Sequence, residues 1–176
     1  MKKNSIYNLS VSAVCLALCL LLPFLTMQLP SIGSALCPMH IPVLLCAFLC
    51  GPTCAAAVGL IAPLLRSSLF FMPPLFPAAT AMSFEMATYG LIAGLLYKKL
   101  PRKTYNIYIS LITAMLVGRI VWGIVSAILY GVSGSAFTFA AFIAGGFTGA
   151  IPGIILQIVL IPMIVYAFNK SNLVKS

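Results

Sequence analysis

The chain has 176 residues, of which 62% are hydrophobic and 6% charged, with one acid against ten bases and a mean hydropathy of +1.17. A soluble domain carries about 25% charged residues, so a water-solvated surface is excluded and lipid is the solvent. The formal charge of +9 is not a nucleic-acid footprint, because no polar domain or basic face carries it.

At about 20 residues per membrane helix, the chain has room for five or six spans. It reads as an all-α integral membrane protein, a single membrane domain over 1–176. Lys2 and Lys3 precede an apolar run, but no small-x-small cleavage site follows, so the run is expected to be a retained first helix over about 5–27. Gln28, Pro30, Ser31, Gly33 and Ser34 break it. A short second helix follows over 38–50, and Gly51-Pro52 marks a tight turn. The third helix is expected over 53–70. Met72-Pro73-Pro74-Leu75-Phe76-Pro77 cannot be helical throughout and makes a loop. The remaining helices are expected over 78–97, 105–130 and 139–168, with a turn from 131 to 135.

Charge sets the orientation. Lys2 and Lys3 precede the first helix, Lys98, Lys99, Arg102 and Lys103 lie between the fourth and fifth, and Lys170 and Lys175 follow the sixth. With six spans and both termini cytoplasmic, all of these bases fall on the inner side, as the positive-inside rule requires. Ten of the twelve prolines lie in residues 1–101, so irregular backbone is expected in the first half. Inside a membrane such backbone must line a cavity or be buried in protein. The outer ends of the first four helices are therefore the expected ligand pocket.

Four ionisable residues remain once the flanking bases are set aside: His40, Arg66, Glu85 and Arg119. Intramembrane ionisable groups are functional candidates by default. At a rise of about 1.5 Å per residue, all four fall in the outer half of the membrane, which suggests one constellation. Glu85 can pair with Arg66 or with Arg119 and simply hold helices together. One arginine is still left without an acid, and an anionic ligand or water must compensate it. Arginine suits bidentate recognition of a carboxylate. Arg119 lies deeper and is the better candidate; Arg66 lies near the interface, where it can snorkel. His40 either bonds locally at its helix start or donates to a ligand oxygen. Trp122 follows Arg119 by three residues, so both can face one cavity. Tyr89 offers a ring and Gln157 an amide, whose alternatives are core packing and an interhelical hydrogen bond.

Small residues recur at helical spacing in Ala13-x-x-x-Ala17, Gly90-x-x-x-Gly94 and Gly145, Gly149, Gly153, which lets helices approach closely. Five of the six cysteines lie in predicted helices, so a disulfide framework is not expected. Cys46, Cys50 and Cys54 read as apolar packing rather than as a metal cluster, and neither a metal nor a cofactor is expected. One acid builds no divalent metal site, and no phosphate-binding loop is present.

The chain resembles the substrate-binding S components of energy-coupling factor (ECF) vitamin transporters. The resemblance rests on size, on six spans with both termini inside, and on Ala13-x-x-x-Ala17. It also rests on Met39-His40-Ile41-Pro42-Val43-Leu44-Leu45, Gly51-Pro52, Met72-Pro73-Pro74 and Phe84-Glu85-Met86-Ala87-Thr88-Tyr89-Gly90. The last segments look like the pantothenate-type subgroup. The resemblance implies an S-component-like bundle in the bacterial plasma membrane. Such a subunit binds a vitamin at its outer end under loops that here include 28–37 and 71–77. It then works with a transmembrane coupling subunit and two ATPase subunits, so that ATP hydrolysis belongs to the partners and the chain is not an enzyme. It also implies that Ala13 and Ala17 contact the coupling subunit. The substrate-binding set is then Arg119, Glu85, His40, Arg66, Trp122, Tyr89 and Gln157. Two arginines against one acid favour an anionic ligand, and pantothenate fits that balance. Pyridoxine, riboflavin, folate or a queuosine precursor are alternatives, as is a structural or assembly subunit with no transport role.

Overall fold

The structure, a computed structural model, describes residues 2–25, 35–101, 104–134 and 136–170. Seven α-helices are described: α1 Lys2–Leu25, α2 His40–Cys50, α3 Pro52–Phe70, α4 Thr80–Lys99, α5 Thr104–Val132, α6 Phe139–Gly146 and α7 Ile151–Lys170. No strand occurs among the described residues. Arg102, Lys103, Lys175 and the 28–34 part of the expected lid lie outside them.

Most boundaries fall within a few residues of expectation, and each has a local cause. Gly51, at φ +92°, separates α2 from α3, a conformation that costs glycine nothing. Pro52 then opens α3, where its missing N–H leaves no bond unmade. Phe71 closes α3 in the left-handed region, its N–H donating to the Ser67 carbonyl. Residues 71–74 form the expected loop, and Leu75–Ala79 make one π-helical turn in which Phe76 is extended. The expected sixth helix is corrected: it is two helices, α6 and α7. Phe147 leaves helical geometry at φ −123°, ψ −66°, and Thr148–Ala150 form a single 3₁₀ turn. Two glycines, Gly145 and Gly146, end α6 where helix propensity is poor.

The packing is that of a protein dissolved in lipid. Five helical stretches are long and apolar enough to cross a membrane, and 139–168 counts as one of them despite its break. The expected second span is shorter than a crossing: α2 has 11 residues, about 16 Å of helix against a hydrocarbon core of about 30 Å. Eight of its residues, from His40 to Phe48, are buried, as befits a helix apolar on every side. In α5, Ile109, Ile112, Leu116, Ile120, Ile124 and Ile128 are exposed. Its buried face instead carries Asn106, Ser110, Arg119 and Ser126. Polar groups turn inward and branched aliphatics outward, the arrangement a bilayer imposes.

The Gly90-x-x-x-Gly94 stripe does the packing expected of it. A Cβ on Gly90 would stand 2.6 Å from the Ala55 backbone, and one on Gly94 would stand 2.7 Å from Pro52. Gly59 answers from α3, where a Cβ would meet the Met86 carbonyl at 2.5 Å. α3 and α4 therefore touch backbone to backbone along this seam. Gly153 likewise lets the start of α7 lie against the carbonyls of Ala35 and Leu36, at 2.7 Å from a Cβ there.

Candidate functional site

Three helices bring their polar residues to one place. α4 contributes Glu85 and, one turn on, Tyr89; α5 contributes Arg119; and His40 opens α2. All four side chains are buried. Glu85 Oε1 lies 2.9 Å from Arg119 Nη1 and 3.6 Å from His40 Nε2. The Tyr89 ring lies 5.2 Å from the His40 ring, tilted against it. Sequence spacing left Glu85 a choice between two arginines, and the structure gives it to Arg119.

The cluster keeps unused hydrogen-bonding capacity. By strict hydrogen-bond geometry both ring nitrogens of His40, Glu85 Oε1, Tyr89 Oη and Arg119 Nε are buried without a partner among the described residues, although His40 and Tyr89 both stand beside the Glu85 carboxylate. Arg119 Nη2 faces only a thiol, Cys37 Sγ, at 3.6 Å, and sulfur is a weak acceptor. Leaving a buried donor unmade costs about 1–3 kcal/mol, so several at one point make this cluster the candidate site. Cys37 sits before α2 in the left-handed region at φ 46°. This irregular backbone at the site is what the proline-rich first half led us to expect.

Two contributors are not among the expected site side chains. Cys37 is the last residue of the expected 28–37 lid loop. Gly118 makes room for Tyr89, because a Cβ there would overlap the ring. Gly118→Ala should push Tyr89 away from His40 at an overpacking cost of about 1–3 kcal/mol. A lowered Tm of the detergent-solubilised protein, followed by tyrosine-independent fluorimetry, is the expected result.

Arg66 is 3% exposed but does not join Glu85. It donates to the Leu20 carbonyl at 2.7 Å, and its guanidinium lies 5.4 Å and 5.3 Å from the rings of Phe24 and Phe70. Trp122 belongs to an aromatic group, edge-on to Phe137 at 5.8 Å and stacked on Phe142 at 6.2 Å. Gly145 lies under its ring, where a Cβ would stand 3.0 Å away. Gln157 is buried on α7, one turn beyond Gly153, with Oε1 lacking a hydrogen-bond partner among the described residues. Ala13 and Ala17 are exposed, whereas Cys15 and Cys19 on the neighbouring stripe of α1 are buried. Cys46 packs against Ser12 Oγ at 3.6 Å. No group of three or more His, Cys, Asp or Glu side chains gathers for a metal among the described residues.

A multi-pass helical membrane protein with a buried polar cluster is the class this architecture defines. The chain belongs to the ECF transporter substrate-specific component family, whose model matches residues 8–165. No curated protein and no solved structure matches it. The family is one of substrate-specific transport subunits embedded in the membrane, not one of enzymes.

Proposed function

We propose that this S component, a single membrane domain, captures a carboxylate-bearing micronutrient from outside a bacterial cell, with pantothenate as the first candidate. The observation that carries the reading is the free edge of Arg119. Glu85 engages Nη1, while Nε and Nη2 meet no oxygen acceptor among the described residues. Those two N–H groups share one edge of the guanidinium and form the fork that holds a carboxylate bidentately. Glu85 then fixes the arginine from its other side. Tyr89 and His40 offer hydrogen bonds to a hydroxyl or amide of the ligand, as Gln157 does from α7, and Trp122 supplies an apolar wall one turn along α5.

Both termini face the cytoplasm in this reading, so that Lys98, Lys99 and Lys170 lie inside. A coupling subunit and two ATPase subunits complete the transporter in the plasma membrane. The exposed position of Ala13 and Ala17 supports their role as the contact with that coupling subunit.

Titration of the purified protein tests the ligand class. Pantothenate should bind, and pantothenol, which has a hydroxyl in place of the carboxylate, should bind at least about tenfold more weakly, the lower bound for one charge-assisted hydrogen bond. Equal affinity for the two would overturn the carboxylate reading. Native mass spectrometry of protein from cells grown with mixed vitamins should carry one small acidic ligand. A protein that neither retains nor binds any small molecule would instead favour a structural subunit, in which the 2.9 Å Glu85–Arg119 pair only joins α4 to α5.

A further inference from the structure

Arg66 calls for a separate account. The chain has one acidic side chain, and Arg119 holds it. Arg66 is therefore a buried cation with no carboxylate side chain to pair with. What it has instead is a carbonyl and two aromatic faces: the Leu20 oxygen at 2.7 Å and the rings of Phe24 and Phe70. The two rings themselves meet edge to face at 5.0 Å. Leu20 and Phe24 belong to α1, and Arg66 and Phe70 belong to α3.

The choice of Leu20 has a physical reason. Pro23 lies inside α1. A proline has no N–H and its ring crowds the carbonyl four residues back, here that of Cys19, so the turn of residues 19–23, in which Leu20 lies, is loosened. The Leu20 carbonyl has two lone pairs and can accept from Arg66 beside any donor in its own helix. A guanidinium also gains from lying over aromatic faces once desolvated. Two other polar contacts of α1 among the described residues are weaker, with Ser12 Oγ at 3.6 Å from the Cys46 thiol and the Cys19 thiol donating to the Met39 carbonyl at 3.5 Å.

We infer that Arg66 is a positioning residue: a latch that fastens the proline-loosened turn of α1 to α3 and does not touch the ligand. Because α1 carries Ala13 and Ala17, the latch makes the partner-facing helix move as one body with the bundle that holds Glu85. The functional half of this inference rests on the S-component reading; the latch itself does not.

Distance measurement by pulsed electron resonance tests the latch directly. Encoded spin labels at Leu21 and Leu69, which are 60% and 54% exposed, report the spacing of α1 and α3 in nanodiscs. A charge-assisted hydrogen bond biases an equilibrium by about ten- to a hundredfold. Arg66→Ala should therefore broaden a narrow distance distribution, and Arg66→Lys should narrow it again in part. Phe70→Leu keeps the charge and the Leu20 bond and should broaden it less; this arm decides if Arg66→Ala does not fold. Ligand affinity should change by less than about twofold in each folded variant, while uptake with the coupling module falls. Unchanged distributions in Arg66→Ala, or in Phe70→Leu where only that variant folds, overturn the latch. A large loss of affinity with unchanged distributions returns Arg66 to the ligand site and also overturns it. Broadened distributions with no uptake in any form, unsubstituted included, keep the latch and reject the transport reading.

Discussion

Removing the guanidinium of Arg119 should weaken binding of a carboxylate ligand by about ten- to a hundredfold, the equivalent of a charge-assisted hydrogen bond of about 1.5–3 kcal/mol. Arg119→Ala also strands Glu85, buried and deprived of the group 2.9 Å away. Breaking a buried pair from one side costs about 3–5 kcal/mol of stability, so the alanine variant should melt earlier as well as bind poorly. The two effects separate in the double variant Glu85→Gln, Arg119→Gln. Both charges are then gone, stability should return, and binding should not. Arg119→Lys should recover only part of the affinity, because an ammonium lacks the planar fork. Calorimetric titration beside a melting curve reads both quantities. A double variant that binds with full affinity would remove Arg119 from the site and leave the pair a purely structural one.

The second large effect concerns the surface of α1. Replacing Ala13 and Ala17 together with leucine should abolish uptake in cells that hold the coupling module and leave ligand affinity unchanged. The two residues are exposed and lie on one stripe of the helix, so added bulk points away from the described bundle. It meets only a partner that approaches the helix closely, which small residues permit and leucine does not. Copurification of the coupling subunit should fail in parallel. Normal assembly and transport by the double variant would place the contact elsewhere.

The membrane class and most helix limits were legible because hydropathy and the turn residues encode them locally. The break at Phe147 was not. Gly145, Gly149 and Gly153 read as one packing stripe, and spacing alone does not distinguish a glycine that admits a neighbour from one that ends a helix. The clustering of His40, Glu85 and Arg119 was legible because charge in lipid is scarce and depth along each helix follows from helical rise. Which arginine took Glu85 was not, because helix rotation about its axis is fixed by packing partners distant in sequence. Gly118 escaped notice for a related reason. A glycine in an apolar run is ordinary, and its role depends on Tyr89 arriving from another helix.

The glycine seam between α3 and α4 bears on how the site can respond to what enters it. Side chains yield by changing rotamer, but along Gly59, Gly90 and Gly94 there are none to yield, only main chain against main chain. Glu85 and Tyr89 are thus mounted on a stiff two-helix wall whose spacing a ligand cannot alter. In the proposed ligand-binding role, any fitting of the site around its contents falls to elements other than this pair. A molecule that is too large should therefore be rejected by the fixed wall rather than accommodated by it. In the proposed ligand-binding role, selectivity for size then comes from α4 and its seam with α3.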